Sequence, residues 1–563
     1  MDVSKESIKK FFSAEKEFFI PVYQRAYSWE QSQWQAFLED LKEAQKGENS
    51  YFFGNVLLEE LDSDFRYDII DGQQRLSTIA IFIRACIEVL AQMNIPDSDI
   101  SKDEFLHRIQ EDYLIYRDKA KLQAVEYDRD YFDDFIIKGV TNKHEPQTPS
   151  QERIKKAKDF FVKELKKLTV EDMLKIFEVM QSAEILSIPF SNKKDSVLMF
   201  ELQNNRGKDL TNMEKLKSYL AYQIYTYSND PEAKLKEISK IFEEIYRLIK
   251  DIKKGEDSIL SWFNISRTDF SYRENDNSLN YKKELKQIDE ADQKIKWING
   301  YMCELKNAFV DFKSFENSSS IYKEYLEWLD VSEVYPFVIK AYRLFRTDAT
   351  KLEQVFKSLE IIAFRDKFVG TKANLASRLS KVLKEFHSPE NLVESLKAVC
   401  SEKEKYWSDE ALDDLSRATR YWVDSKVLQY LFMRYENYLR QKDTTKKAYR
   451  FSLNDIEKPE IEHIAPQKED KEKLASGYCK YDEEFIDSYL HSIGNLVLIS
   501  KSHNASIGNK PFVDKLQSFK NNSLIQQAQI ETFIITKNIW DKKAIDKRCE
   551  ALEKFVLETW SFK

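Results

Sequence analysis

Three observations predict a helix-rich α+β protein built from more than one domain. Glycine and proline number only 11 each in 563 residues while 33% of residues are charged, against average usage of about 7% glycine and 5% proline. Few turn-formers and many helix-formers mean mostly helix. Short β-branched and aromatic runs lie within the first 70 residues and return at 184–189, which places a small sheet there. The length exceeds what one hydrophobic core usually serves. Changes of character near 228 and 440 divide the chain into residues 1–228, a helical middle at 229–440, and a final region at 441–563.

In chain order, Phe18–Ile20, Asn55–Leu61 and Phe65–Ile70 read as strands, and Gln31–Gln45 and Gln73–Met93 carry helical periodicity. Residues 100–182 are mainly helical, and Glu184–Pro189 returns the chain to the sheet. Thr211 and Glu214 have the spacing of a capping box and start a helix after the Asn205-Arg206-Gly207 turn. Asp230-Pro231 is a further helix start. Amphipathic helices without a fixed-period repeat follow to 440, polar residues at 441–447 mark a linker, and 537–560 reads as a terminal helix packed on the final domain.

The formal charge of -8 argues against a protein that coats nucleic acid by bulk electrostatics, so any DNA contact is local. Lys446, Lys447 and Arg450 precede the last motif, Lys510 and Lys515 follow it, and Lys537, Lys542, Lys543, Lys547 and Arg548 line the tail as candidate phosphate contacts. Five scattered cysteines without a CxxC pair fit reduced thiols in a cytoplasm. No secretory leader and no apolar run of membrane-spanning length is expected, which predicts a cytoplasmic protein.

Two stretches carry chemistry. In DIIDGQQRLSTI at 68–79 a strand ends at Asp71, Gly72 permits a tight turn and a helix begins at once, so free backbone N–H groups and Arg75 could meet a phosphate. Asp71 could hold a hydrated cation, and Gln73 and Gln74 could orient ribose, base or water. An ordinary capped junction would look the same. IPVYQRAYSW at 20–29 adds Gln24 and Arg25 among aromatics, and Arg206 could complete a pocket. No Walker A pattern is present.

The second stretch is IEHIAPQ at 461–467 with HSIGNLVLISKSHNASIGNKPF at 491–512. A one-metal phosphodiesterase needs a base for water, a hard cation, and a residue that holds the base. Glu462 and His463 put a carboxylate beside an imidazole. Adjacent side chains on a strand face opposite ways, but at a strand end both can reach one site. Asn495 and Asn504 offer amide oxygens, and His491 and His503 offer further imidazoles.

The ordered set IPVYQRAYSW, FGNVLLEE, YDIIDGQQRLSTI and FELQNNRGKDLTNMEKLK, followed by the EHIAP and GNLVLIS segments, resembles the GmrSD family of modification-dependent restriction enzymes. The resemblance implies a ParB/sulfiredoxin-like N-terminal domain, in which DGQQR serves nucleotide binding and hydrolysis, and a C-terminal HNH, or ββα-metal, nuclease. By that resemblance Asp71, Gly72, Gln73, Gln74 and Arg75 handle a nucleoside triphosphate, joined by Gln24, Arg25 and Arg206. His463 is the general base, Asn495 positions it, and Glu462 and Asn504 bind a divalent metal such as Mg2+, with His491 or His503 as alternatives to Asn504.

The expected activity is type IV restriction of modified phage DNA, gated by nucleotide, with a homodimer where both strands are cut. A nucleotide-dependent sensor working within a larger defence complex, and an RNA-directed nuclease, are the other readings. No membrane partner is expected.

Overall fold

The computed structural model describes residues 4–13, 15–46, 51–62, 65–94, 100–140, 145–190, 210–267, 280–401, 406–417, 424–442, 450–469 and 474–562. Arg206 with its flanking Asn205 and Gly207, and Lys446 and Lys447, lie outside them. The chain forms two compact units, residues 1–264 with 276–313, and residues 265–275 with 314–563. The helical stretch 229–440 is thus shared between the two units. No helix among the described residues is long and apolar enough to cross a membrane.

The first unit is built on a mixed sheet. Its strands are β1 (Ser4–Ser7), β2 (Glu17–Phe19), β3 (Phe52–Asp62), β4 (Arg66–Asp71), β7 (Leu122–Gln123) and β8 (Glu184–Phe190), while β5 (Ile115–Tyr116) and β6 (Lys119–Ala120) form a separate small hairpin. The order in the sheet is β1-β8-β3-β4-β2-β7. β3 runs antiparallel to β4, and β2 lies parallel to both β4 and β7. The expected strands are therefore present, within a residue or a few at their ends. Edge strand β1 was not expected, because SKES is polar throughout and its pairing with β8 comes entirely from the partner's backbone.

Helix Gln73–Ala91 is the centrepiece of this unit. From Leu76 to Ile87 every residue is buried, polar ones included, as expected for a helix wrapped by structure on all sides. It packs on helix Pro149–Leu165, with Phe37, Phe82 and Phe161 meeting edge to face. The predicted capping box is present: Glu214 N–H donates to Thr211 Oγ1 at 3.2 Å and Thr211 N–H to Glu214 Oε2 at 2.8 Å. Asp230 caps Pro231–Ile249 through the Ala233 N–H at 3.2 Å.

Among its described residues the second unit is a stack of helices that carries one short antiparallel hairpin, β9 (Pro459–His463) with β10 (Leu496–Ser500). The terminal helix runs Lys542–Thr559 and is tied to this hairpin by the fully buried Arg548, whose guanidinium donates to the carbonyls of Gly494 at 2.8 Å and Leu496 at 2.6 Å. It packs where the sequence placed it. Beyond it, Trp560 stacks on Phe364 and donates to the buried Glu360 carboxylate at 2.6 Å, which fastens the chain end to helix Ala349–Val369.

Candidate functional site

In the second unit, β10 reads LVLIS and buries four successive residues, so it forms the floor of the hairpin. Register pairs Leu496 with His463 and Ser500 with Pro459, which sets Asn495 beside the point where β9 ends. Helix Lys501–Ile507 starts directly from β10, capped by Ser500 Oγ accepting the His503 N–H at 3.2 Å. Strand, strand and helix thereby gather the motif residues that are far apart in sequence.

His463 is 1% exposed. Its Nε2 lies 3.0 Å from His491 Nδ1, and the Gln467 amide donates to its Nδ1 at 3.0 Å. Burial, with His491 and the Lys515 ammonium nearby, lowers its pKa to about 3, so the ring is neutral and keeps a lone pair at neutral pH. With Gln467 donating to Nδ1, the ring proton sits on Nε2 and faces His491.

Asn495 is fully buried and acts on the backbone that follows His463 rather than on its ring. Its Oδ1 accepts the Ala465 N–H at 2.8 Å and the Trp540 indole N–H at 2.9 Å, while its Nδ2 donates to the Leu490 carbonyl at 2.8 Å. Removing this amide would release the turn that carries the imidazole.

Glu462 forms a salt bridge through Oε1 with Lys515, whose side chain is wholly buried and whose Nζ also donates to the His463 carbonyl at 2.8 Å. Lys515 is therefore not on a surface that meets DNA, contrary to the expectation from sequence. A lysine four residues into an amphipathic helix looks solvent-facing in a charge count, but here it turns inward to neutralise a carboxylate. Asn504 donates through Nδ2 to Glu460 Oε2 at 2.9 Å. Glu460 and Glu462 are two apart on β9 and share a face.

Among the described residues no group of three or more His, Cys, Asp or Glu side chains gathers to hold a metal. What the site offers is one carboxylate oxygen of Glu462 and the amide oxygen of Asn504, neither engaged in a hydrogen bond among the described residues. Two hard oxygen donors completed by water fit Mg2+, which commonly binds through one or two carboxylates and keeps several waters. His503 is spent elsewhere, on Ser518 at 2.6 Å and Asn522 at 3.1 Å.

Much of the nearby basic charge is paired with carboxylates or buried. Arg450 pairs with Glu324 at 2.6 Å, Lys542 with Asp482 at 2.9 Å and with Glu484, and Arg548 is buried. Lys510, Lys537 and Lys543 remain exposed.

At the junction in the first unit, Gly72 takes φ 97°, and a Cβ there would come within 2.8 Å of Val56, so the turn requires glycine. Both glutamines of the motif face inward. Gln73 donates to Gln24 Oε1 at 2.8 Å, and Gln24, fully buried, donates to the Ile70 carbonyl at 2.6 Å. Gln74 accepts the Ser28 N–H at 2.8 Å and donates to the Ala26 carbonyl at 3.0 Å. Arg75 hooks the β3 carbonyls of Phe53 at 2.6 Å and Asn55 at 2.7 Å and touches Asp71 at 3.5 Å. The motif straps the 21–29 loop across the carboxyl ends of β2 and β4. Arg25, on that loop, lines a pocket of about 310 Å³.

Both stretches match known families. Residues 8–221 match the N-terminal domain of the GmrSD restriction endonucleases, and residues 407–555 match the C-terminal domain of the same enzymes. The chain belongs to the GmrSD restriction endonuclease family. Membership makes it a nuclease of type IV restriction that acts on DNA in defence against phage. A search of the curated proteins finds no match. In this GmrSD-family chain, sequence reasoning missed Gln467 and His491 as the partners of His463 and Lys515 as the partner of Glu462. Gln467, four residues after His463 within the quoted motif, was the one within reach of inspection.

Proposed function

We propose that this nuclease cleaves or nicks modified foreign DNA at a divalent-metal site on the β9–β10 hairpin, and that a nucleoside triphosphate handled by the first 228 residues regulates the cut. The observation that carries the proposal is a neutral, buried imidazole at the end of a hairpin whose adjoining carboxylate and helix amide each keep an oxygen available. A hairpin followed at once by a helix supports an HNH, or ββα-metal, reading of residues 441–563. The loop held at the carboxyl ends of parallel strands supports a ParB/sulfiredoxin-like reading of the N-terminal sheet.

In this mechanism a water that displaces the Gln467 amide meets the lone pair on His463 Nδ1 and gives up its proton there as it attacks phosphorus. His491, accepting from Nε2–H, fixes the tautomer, as the third member of a nucleophile-activating triad does. Asn495 holds the turn. Lys515 fixes the Glu462 carboxylate, leaving its other oxygen to join Asn504 as ligand. A bound divalent cation, Mg2+ by the hardness of these donors, would supply positive charge for the phosphate and the leaving oxygen. One such site cuts one strand, so a double-strand break calls for a homodimer. Phosphate neutralisation falls to exposed lysines such as Lys510.

Modified phage DNA, its unmodified counterpart and a matched RNA, each incubated with the purified protein and Mg2+ with and without each nucleoside triphosphate, test the proposal. Cutting of modified DNA that changes with nucleotide and stops with chelator is expected. Cutting of the RNA alone, or cutting indifferent to nucleotide, would contradict it.

A further inference from the structure

The side chains of the DGQQR motif are largely consumed by the scaffold, which raises the question of where a nucleotide's phosphates would bind. Gln73 and Gln74 hold the 21–29 loop and Arg75 holds β3, whereas Arg25, on the loop they hold, lines a cavity. That cavity, about 310 Å³, has a second arginine in its wall: Arg153, the fifth residue of helix Pro149–Leu165. Two guanidinium groups from separate elements, set in one concave site, suit an oligophosphate, because each planar fork can donate twice to phosphate oxygens.

Two carboxylates also line the cavity, and both are committed to the start of helix Asn212–Tyr227. Glu214 accepts the Thr211 N–H at 2.8 Å, and Glu256 accepts the Thr211 hydroxyl at 2.8 Å. Burial pushes both pKa values up, that of Glu256 to about 7, while Arg153 opposes the shift at both carboxyls and Arg25 at Glu214. Tyr27 and Tyr246 supply aromatic wall. Tyr27 is fixed by hydrogen bonds from its hydroxyl to Thr78 at 2.8 Å and from the Trp34 indole at 2.9 Å, which suits a platform for a base. The volume falls within the range of small-ligand sites.

We infer that the pocket lined by Arg25 and Arg153 takes the phosphate chain of a nucleoside triphosphate, and that DGQQR is the buttress that aims Arg25 into it. The inference rests on the nucleotide reading proposed above and assigns the contact to residues on the outer side of the loop. Arg153, which no motif marks, is its distinctive prediction. Arg153 keeps a distant ion pair with Glu30 at 3.8 Å and is about one-third exposed, so the fold does not depend on it.

The test is titration of the full-length protein with fluorescent mant-GTP and mant-ATP in Mg2+, competed with inorganic triphosphate, alongside thermal midpoints. Arg153→Ala is expected to weaken binding roughly tenfold to a hundredfold, the worth of a charge-assisted contact, with an unchanged midpoint. Arg153→Lys should recover part of the loss, and triphosphate should compete with wild type. Wild-type binding that Arg153→Ala leaves unchanged would overturn the pocket assignment while the nucleotide reading stands. No binding of either nucleotide by wild type would overturn both.

Discussion

The N-terminal junction and the C-terminal hairpin each carry a recognisable motif, yet the motifs do opposite things. At the junction nearly every distinctive side chain is turned inward: Gln24, Gln73, Gln74 and Arg75 end on backbone or on one another. At the hairpin Asn495, Lys515 and the ring of His463 are buried as well, but one oxygen each of Glu462 and Asn504 keeps no hydrogen bond among the described residues. A motif can mark the reacting groups or the frame that aims them, and only burial and hydrogen-bond partners distinguish the two.

The sharpest way to break the contrast is to remove a support at the hairpin. Lys515→Met leaves Glu462 without its buried cation, an expected loss of about 3 kcal/mol, together with weaker cleavage even at high Mg2+. Urea unfolding and cleavage rates measured on the same preparation check it, and a variant that stays fully stable and active would make the ion pair incidental. At the junction, Gln74→Ala strands the Ser28 N–H and the Ala26 carbonyl, at a cost of about 2 kcal/mol. Nucleotide binding and thermal midpoint should fall together. Lost binding with an unchanged midpoint would mean that Gln74 touches the ligand directly.

Gly54→Ala probes the same frame more gently. Gly54 has φ 96°, and a Cβ there would lie 2.1 Å from an Arg75 guanidinium nitrogen, so the side chain must swing away. A loss of about 1–2 kcal/mol is expected from the backbone conformation and the lost hooks on β3. Calorimetry that shows no change would remove Arg75 from the frame.

A further effect is a pH slope. Lys217 is buried, donates to the Gln24 carbonyl at 2.8 Å, and has its pKa lowered to about 7, first by burial, against the opposing pull of Asp128 and Glu214. Between about pH 7 and its unfolded value near 10.4 the unfolded chain holds a proton that the folded chain has lost, so this group makes stability rise with pH. Relative to Lys217→Met, wild type should gain midpoint from pH 7 to pH 9; an equal or opposite trend would mean that Lys217 remains charged.

The sequence made the main strands, the long helices and the capped start at Thr211 legible, because each has a local cause: alternation, periodicity, or a cap at fixed spacing. It could not reveal β1, whose polar residues pair only because β8 offers an edge. It named His463 and Glu462 correctly as neighbours at a strand end, yet it put Lys515 on the surface, since the inward turn depends on a carboxylate 53 residues earlier in the chain. The pairing of His463 with His491 and the convergence of Arg25 with Arg153 are likewise products of tertiary structure.

The most direct test of the account is His463→Ala, assayed for cleavage of modified phage DNA in Mg2+ and for nucleotide turnover and thermal midpoint. The account predicts a fall in cleavage of about 100-fold to 10,000-fold, the typical worth of a general base, with turnover and midpoint close to wild type. Cleavage at the wild-type rate would place the reacting base elsewhere and contradict the reading of the hairpin as the cutting centre.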